Sequence, residues 1–152
     1  QQLDLAVRRQ LPIVIHSRDA GKGSTGVVHP DVVAVLKNNT PDRKGVAHSF
    51  TGTIDEARLY LDLGFYLGFN GIITFARQYD ELVKYVPMDR ILLETDAPFL
   101  APELYRGKRN ESAYVIEVAK KIAELKGESL ESVCVSSIRS TRTLFRLDTS
   151  EE

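Results

Sequence analysis

Short runs of consecutive apolar residues alternate along the chain with stretches in which apolar positions recur every three or four residues. This rhythm predicts strands interleaved with helices, the signature of βα units on a parallel sheet. Four runs read as strands: LPIVIH (11–16), GVAHSF (45–50), FYLGFN (65–70) and RILLETD (90–96). The first and last are nearly continuously apolar, as expected of strands covered on both faces. Between the first two, Pro30 after His29 can occupy the first position of a helix that carries Val32, Val33 and Leu36 and stops at the polar 38–41. The next helix is the best punctuated, because Thr53 and Glu56 have capping-box spacing, Ala57, Tyr60 and Leu61 follow on one face, and Gly64 suits the position just past the end. Pro87 ends a helix bearing Leu82, Val83 and Val86. After a loop over 97–110, one helix aligns Val115, Val118, Ala119, Ile122 and Leu125 and stops at Gly127. A last one starts at a Ser129 N-cap and runs to Phe145, with Val133, Ile138 and Leu144 as its packing residues.

Composition narrows the class without changing this picture. The chain has 152 residues, 43% hydrophobic and 27% charged, with 20 basic against 21 acidic side chains and a net charge of -1. One globular domain over 1–147 with a polar tail at 148–152 fits these values. No apolar run reaches membrane-spanning or signal-peptide length, so the expectation is a soluble, cytoplasmic protein with no membrane partner. A single cysteine, Cys134, excludes an intrachain disulfide framework and a zinc-finger ligand set. Near-neutral charge argues against broad electrostatic capture of nucleic acid but leaves room for a local basic patch. The chain opens on Gln1 and its only methionine is Met88, which suggests a processed chain or a piece of something longer.

Three of the four predicted strands end in a side chain able to ligate a metal: His16, His48 and Asp96. In parallel α/β proteins ligands gather at the C-terminal strand ends. A lone histidine is usually a hydrogen-bonded structural residue, but two histidines and an aspartate at equivalent points of successive units point to a metal centre. In ILLETDAPFL, period-two alternation puts Glu94 and Asp96 on one side of the strand, which suits a metal ligand or general base at Asp96 and a supporting partner at Glu94. Arg18 reads equally as an anion contact or as half of a surface salt bridge. Backbone N–H groups at Gly52 and Thr53 could face a phosphate, Asn70-Gly71 reads as a turn as readily as a site, and His29 reads as a solvated helix-entry residue. The loop ELYRGKRNES brings Arg106, Lys108 and Arg109 together after Phe99 and Tyr105. That combination suits a nucleic-acid strand, with charge for phosphates and rings for bases, as well as it suits a solvated loop.

LPIVIHSRDA, GVAHSFTGT and ILLETDAPFL, in this order and spacing, resemble the TatD family of metal-dependent deoxyribonucleases. RGKRN followed by two helices resembles that family's C-terminal end. The resemblance covers nearly the whole chain. It implies a TIM-type (β/α)8 barrel of the amidohydrolase kind that hydrolyses phosphodiester bonds in DNA with a divalent metal, often as a 3′-to-5′ exonuclease on single-stranded ends. Mg²⁺ is the first expectation and Mn²⁺ or Zn²⁺ the others, with two ions in a complete enzyme. His16 and His48 then correspond to metal ligands and Asp96 to the ligand that also helps to activate water, while Arg18, Arg106, Lys108 and Arg109 become phosphate contacts. Two departures lie away from these ligands: the Gly/Ser-rich segment that begins 20–45, and SSIRSTRTLF, which lacks the asparagine usual before the arginine and terminal Leu-Phe. The family's His-x-His strand and its bridging glutamate do not occur in this sequence. A complete barrel needs about 250 residues, so the expectation is a C-terminal half, four βα units plus the closing helices, weakly active or inactive alone. It would be stabilised by the absent half or by a second copy of itself. Two other readings stay open: an amidohydrolase-type enzyme acting on a small molecule, and a half-barrel interaction module without catalysis.

Overall fold

The computed structural model describes residues 1–18, 28–39 and 41–147. The Gly/Ser-rich segment and the tail expected at 148–152 lie outside the described residues. Helix α1 (Gln2–Arg9) leads to β1 (Ile13–His16), and α2 (Val28–Asn38), β2 (Gly45–His48), α3 (Ile54–Asp62), β3 (Tyr66–Phe69), α4 (Asp80–Tyr85) and β4 (Ile91–Leu93) follow in alternation. Two longer helices, α5 (Val115–Lys126) and α6 (Leu130–Phe145), close the chain. The strands form one parallel sheet in the order β1-β2-β3-β4, with His16 in register with His48. The sequence predicts this βα order and the parallel sheet; each strand is shorter than its apolar run. β4 in particular ends at Leu93, so Glu94 and Asp96 stand past the strand, although the Glu94 N–H still donates to the Phe69 carbonyl and extends the ladder by one step.

Alternation along the strands divides two cores. Ala47, Leu67, Phe69 and Ile91 face the helices, where they meet Leu36, Tyr60, Val83, Val118 and Ile122. On the other face Val46, Tyr66 and Leu92 pack against Leu144 and Phe145 from the end of α6. Burial on both faces explains why these runs carry so few polar residues. β1 is the exception: its Val14 is 58% exposed on that second face.

Helix ends follow their chemistry. Thr53 caps α3 with both halves of the capping box, Gly64 takes a left-handed φ of 80° beyond it, and Gly127 does the same at 67° after α5. Ser129 caps α6 by accepting the Ser132 N–H. Two expectations are corrected. Ile138 is exposed, and the buried stripe of α6 is Val133, Ser137, Ser140 and Leu144; there Ser136 and Ser140 donate to the Met88 and Asp89 carbonyls at 3.2 and 3.0 Å, so small polar residues let the helix approach the turn before β4. His29 is no solvated entry residue: α2 starts at Val28, and the His29 ring is buried against Phe50 and Tyr60.

Candidate metal centre

The C-terminal ends of β1, β2 and β4 bring His16, His48, Glu94 and Asp96 to one place. Parallel register sets the two histidines side by side, with ring centroids 5.6 Å apart. Glu94 then fixes His48: its Oε2 accepts from Nδ1 at 2.8 Å, and its Oε1 accepts the Ser49 backbone N–H at 2.5 Å. The chain turns nearby, with Ser49 and Asp96 in left-handed backbone conformations at φ of 51° and 59°. Asn70, fully buried, steadies the same corner by donating to Ser49 Oγ at 2.8 Å while its Oδ1 caps the following 3₁₀ turn. Gly68 leaves the space in which the Glu94 carboxylate lies, since a Cβ there would overlap it.

A carboxylate accepting from Nδ1 keeps the proton on that nitrogen and points the Nε2 lone pair outward. Nε2 lies 3.3 Å from Asp96 Oδ1. Two acceptors at that distance attract only through a shared proton or a cation, and two imidazoles with a carboxylate suit a borderline or hard divalent metal. The donor set therefore suits a divalent ion in kind. Among the described residues no three His, Cys, Asp or Glu side chains stand close enough together to hold a metal ion as they are placed. Burial raises the Glu94 carboxyl above its ordinary range, opposed by the hydrogen bonds from His48 and Ser49. The sign fits a carboxylate dependent on those two donors for its charge.

None of the four basic residues is among these contacts. Arg18 lines an open cavity of about 510 Å³ with His29, Thr51, Gly52, Thr53 and Glu56. The Thr53 N–H does not face that space as a free donor, because Glu56 Oε2 accepts it at 2.6 Å. Arg106 lies over the Phe75 ring, 4.2 Å from its centroid, and Lys108 and Arg109 are exposed in the loop. Sequence reasoning missed the parts of Ser49 and Gly68 in holding the site, and Asn70, left open between a turn and a site, serves as both by capping the 3₁₀ turn and donating to Ser49. It also missed a buried network beside the cavity, in which Ser17 Oγ lies 3.0 Å from His29 Nδ1 and 3.1 Å from Tyr60 Oη.

Comparison with known proteins places these observations. The family model described as TatD related DNase matches residues 1–146. The chain is 43% identical over 150 residues to the uncharacterized metal-dependent hydrolase YabD of Bacillus subtilis, covering 97% of this chain and 56% of that protein. It is 36% identical to the 3′-5′ ssDNA/RNA exonuclease TatD of Pantoea vagans, covering 96% of this chain and 56% of the relative. The crystal structure of YJJV, a TatD homolog from Escherichia coli, superposes with a TM-score of 0.86 at 30% identity, covering 97% of this chain and 54% of that one. The chain thus spans about half the length of the relatives it matches.

Proposed function

The chain belongs to the TatD related DNase family, and from that premise we propose that it contributes to divalent-metal-dependent hydrolysis of phosphodiester bonds in single-stranded DNA, acting from the 3′ end. The observation that carries this reading is His48 standing between His16 and Asp96, its ring 5.6 Å from that of His16 and its Nε2 3.3 Å from Asp96 Oδ1, with Glu94 holding the other ring nitrogen. Similarity to a relative named as a 3′-5′ ssDNA/RNA exonuclease supports the substrate class. In this reading the four βα units stand for the second half of an eight-unit barrel.

His16, His48 and Asp96 would hold the metal, with Mg²⁺ as the first expectation and Mn²⁺ or Zn²⁺ as alternatives. When bound, a divalent ion supplies a water of lowered pKa and neutralises charge developing on the phosphoryl oxygens. The protein's own residues do the rest. Glu94 holds His48 in one tautomer, Asp96 presents a carboxylate able to accept a proton from an attacking water, and Arg18 offers a bidentate donor to a phosphate. Arg106, Lys108 and Arg109 would meet phosphates further along the strand. Three protein ligands leave a two-metal geometry loosely fixed, so turnover by the chain alone is expected to be slow.

Metal binding and cleavage test this together. Mn²⁺ binding, followed by loss of the free-ion paramagnetic resonance signal, should weaken on the order of 10-fold or more in His16→Ala, His48→Ala and Asp96→Ala. Release of nucleotides from 5′-labelled single-stranded DNA should require added metal and stop in EDTA. Unchanged Mn²⁺ affinity in all three variants would sink the site, and metal-independent cleavage would sink the mechanism.

A further inference from the structure

Phe99 keeps 70% of its surface in solvent, yet the backbone that carries it is among the most firmly held in the loop after β4. Its N–H donates to the Asp96 carbonyl at 2.8 Å. The buried Asn110 side chain donates to the Thr95 and Phe99 carbonyls, both at 2.6 Å, while its backbone N–H donates to the Pro98 carbonyl at 3.1 Å. Asn110 Oδ1 in turn accepts the Glu111 N–H at 2.9 Å, so this buried amide is satisfied on both ends. An exposed ring on a loose loop would mean little. Here a buried clamp fixes the ring's attachment point three residues from Asp96, and the same clamp joins it to the residue that directly follows Arg109.

The neighbouring rings are otherwise engaged. Tyr105 lies face to face with Tyr114 at 3.7 Å and 3°, and Phe75 is covered by Arg106. Phe99, among the described residues, makes no ring or cation contact, so its exposed ring surface is available to a planar partner. A solvent-exposed aromatic on a rigid support beside cationic side chains is the arrangement that binds unpaired bases: the ring stacks and the charges hold phosphates. In a duplex the base faces are already stacked on their neighbours and are closed to such a ring.

We infer that Phe99 is the base-stacking residue of this site, binding an unstacked nucleobase beside the candidate metal centre and so favouring single strands over duplex. It reads the presence of a base and is indifferent to which one. This rests on the nucleic-acid reading above and deepens it.

The test uses the full chain with Mg²⁺ and cleavage-resistant phosphorothioate oligomers, followed by fluorescence anisotropy. Oligothymidylate is compared with an abasic strand of equal length. Phe99→Ala should weaken oligothymidylate binding about 10-fold and leave the abasic strand unaffected, while Phe99→Trp restores the difference. If Phe99→Ala weakens both strands equally, or neither, the stacking role is overturned while single-strand binding stands. If the unsubstituted chain binds neither strand, the nucleic-acid reading falls and this inference with it.

Discussion

At the scale of single residues, the site divides into what one strand can announce and what only two strands together can make. His16, His48 and Asp96 were legible because each follows an apolar run, and a ligating side chain there has few other uses. Glu94 was legible through its two-residue spacing from Asp96, and both carboxylates reach His48, at Nδ1 and Nε2 respectively. Gly68 was not legible, because its role is an empty volume filled from the neighbouring strand. That volume is testable. Gly68→Ala should push the Glu94 carboxylate off His48 Nδ1, and Mn²⁺ affinity should fall about 10- to 100-fold, as for Glu94→Gln, since partners that orient a ligand are worth about that much. The flexible glutamate can move aside, so thermal stability should change little. Unaltered metal affinity in Gly68→Ala would show that the Glu94 contact does not tune the centre.

Elements follow the same division. Both ends of α3 and the C-terminal end of α5 were legible because caps and left-handed glycines are local signals. The face of α6 was not. Hydrophobicity selects Ile138, but packing selects Ser137 and Ser140, whose small volume admits the Met88–Arg90 turn and whose hydroxyl, at Ser140, donates to the Asp89 carbonyl. Periodicity places a helix's residues relative to one another; it does not say what stands opposite. Two substitutions separate the possibilities in urea denaturation. Ile138→Ser should change stability by no more than about 0.5 kcal/mol, as an exposed position. Ser140→Leu should cost about 1–3 kcal/mol by overpacking against the turn, in addition to the lost hydrogen bond. A larger loss from Ile138→Ser than from Ser140→Leu would reverse the assignment of the buried face.

For the whole molecule, the βα order and the parallel sheet were legible because they repeat, whereas the packing of Leu144 and Phe145 onto the second sheet face joins residues far apart in sequence and left no local trace. Charge acts at this scale too. With 20 basic against 21 acidic side chains the molecule has no general field to draw in a polyanion, so nucleic-acid affinity has to come from a few placed contacts. Four basic residues, Arg18, Arg106, Lys108 and Arg109, are assigned to phosphates. Single-strand contacts each contribute about 0.7 to the slope of log affinity against log salt, so the slope for oligothymidylate should not exceed about 3 in magnitude. Lys108→Gln combined with Arg109→Gln should lower it by about 1.4. Arg106, held over Phe75, has less freedom to follow a strand, and losing it should disturb the loop as well as the charge. A slope near 6 would mean that unassigned basic residues take part. A slope unmoved by the double substitution would remove the loop from the phosphate path and leave Arg18, at the cavity lined by His29 and Gly52, as the principal anion contact.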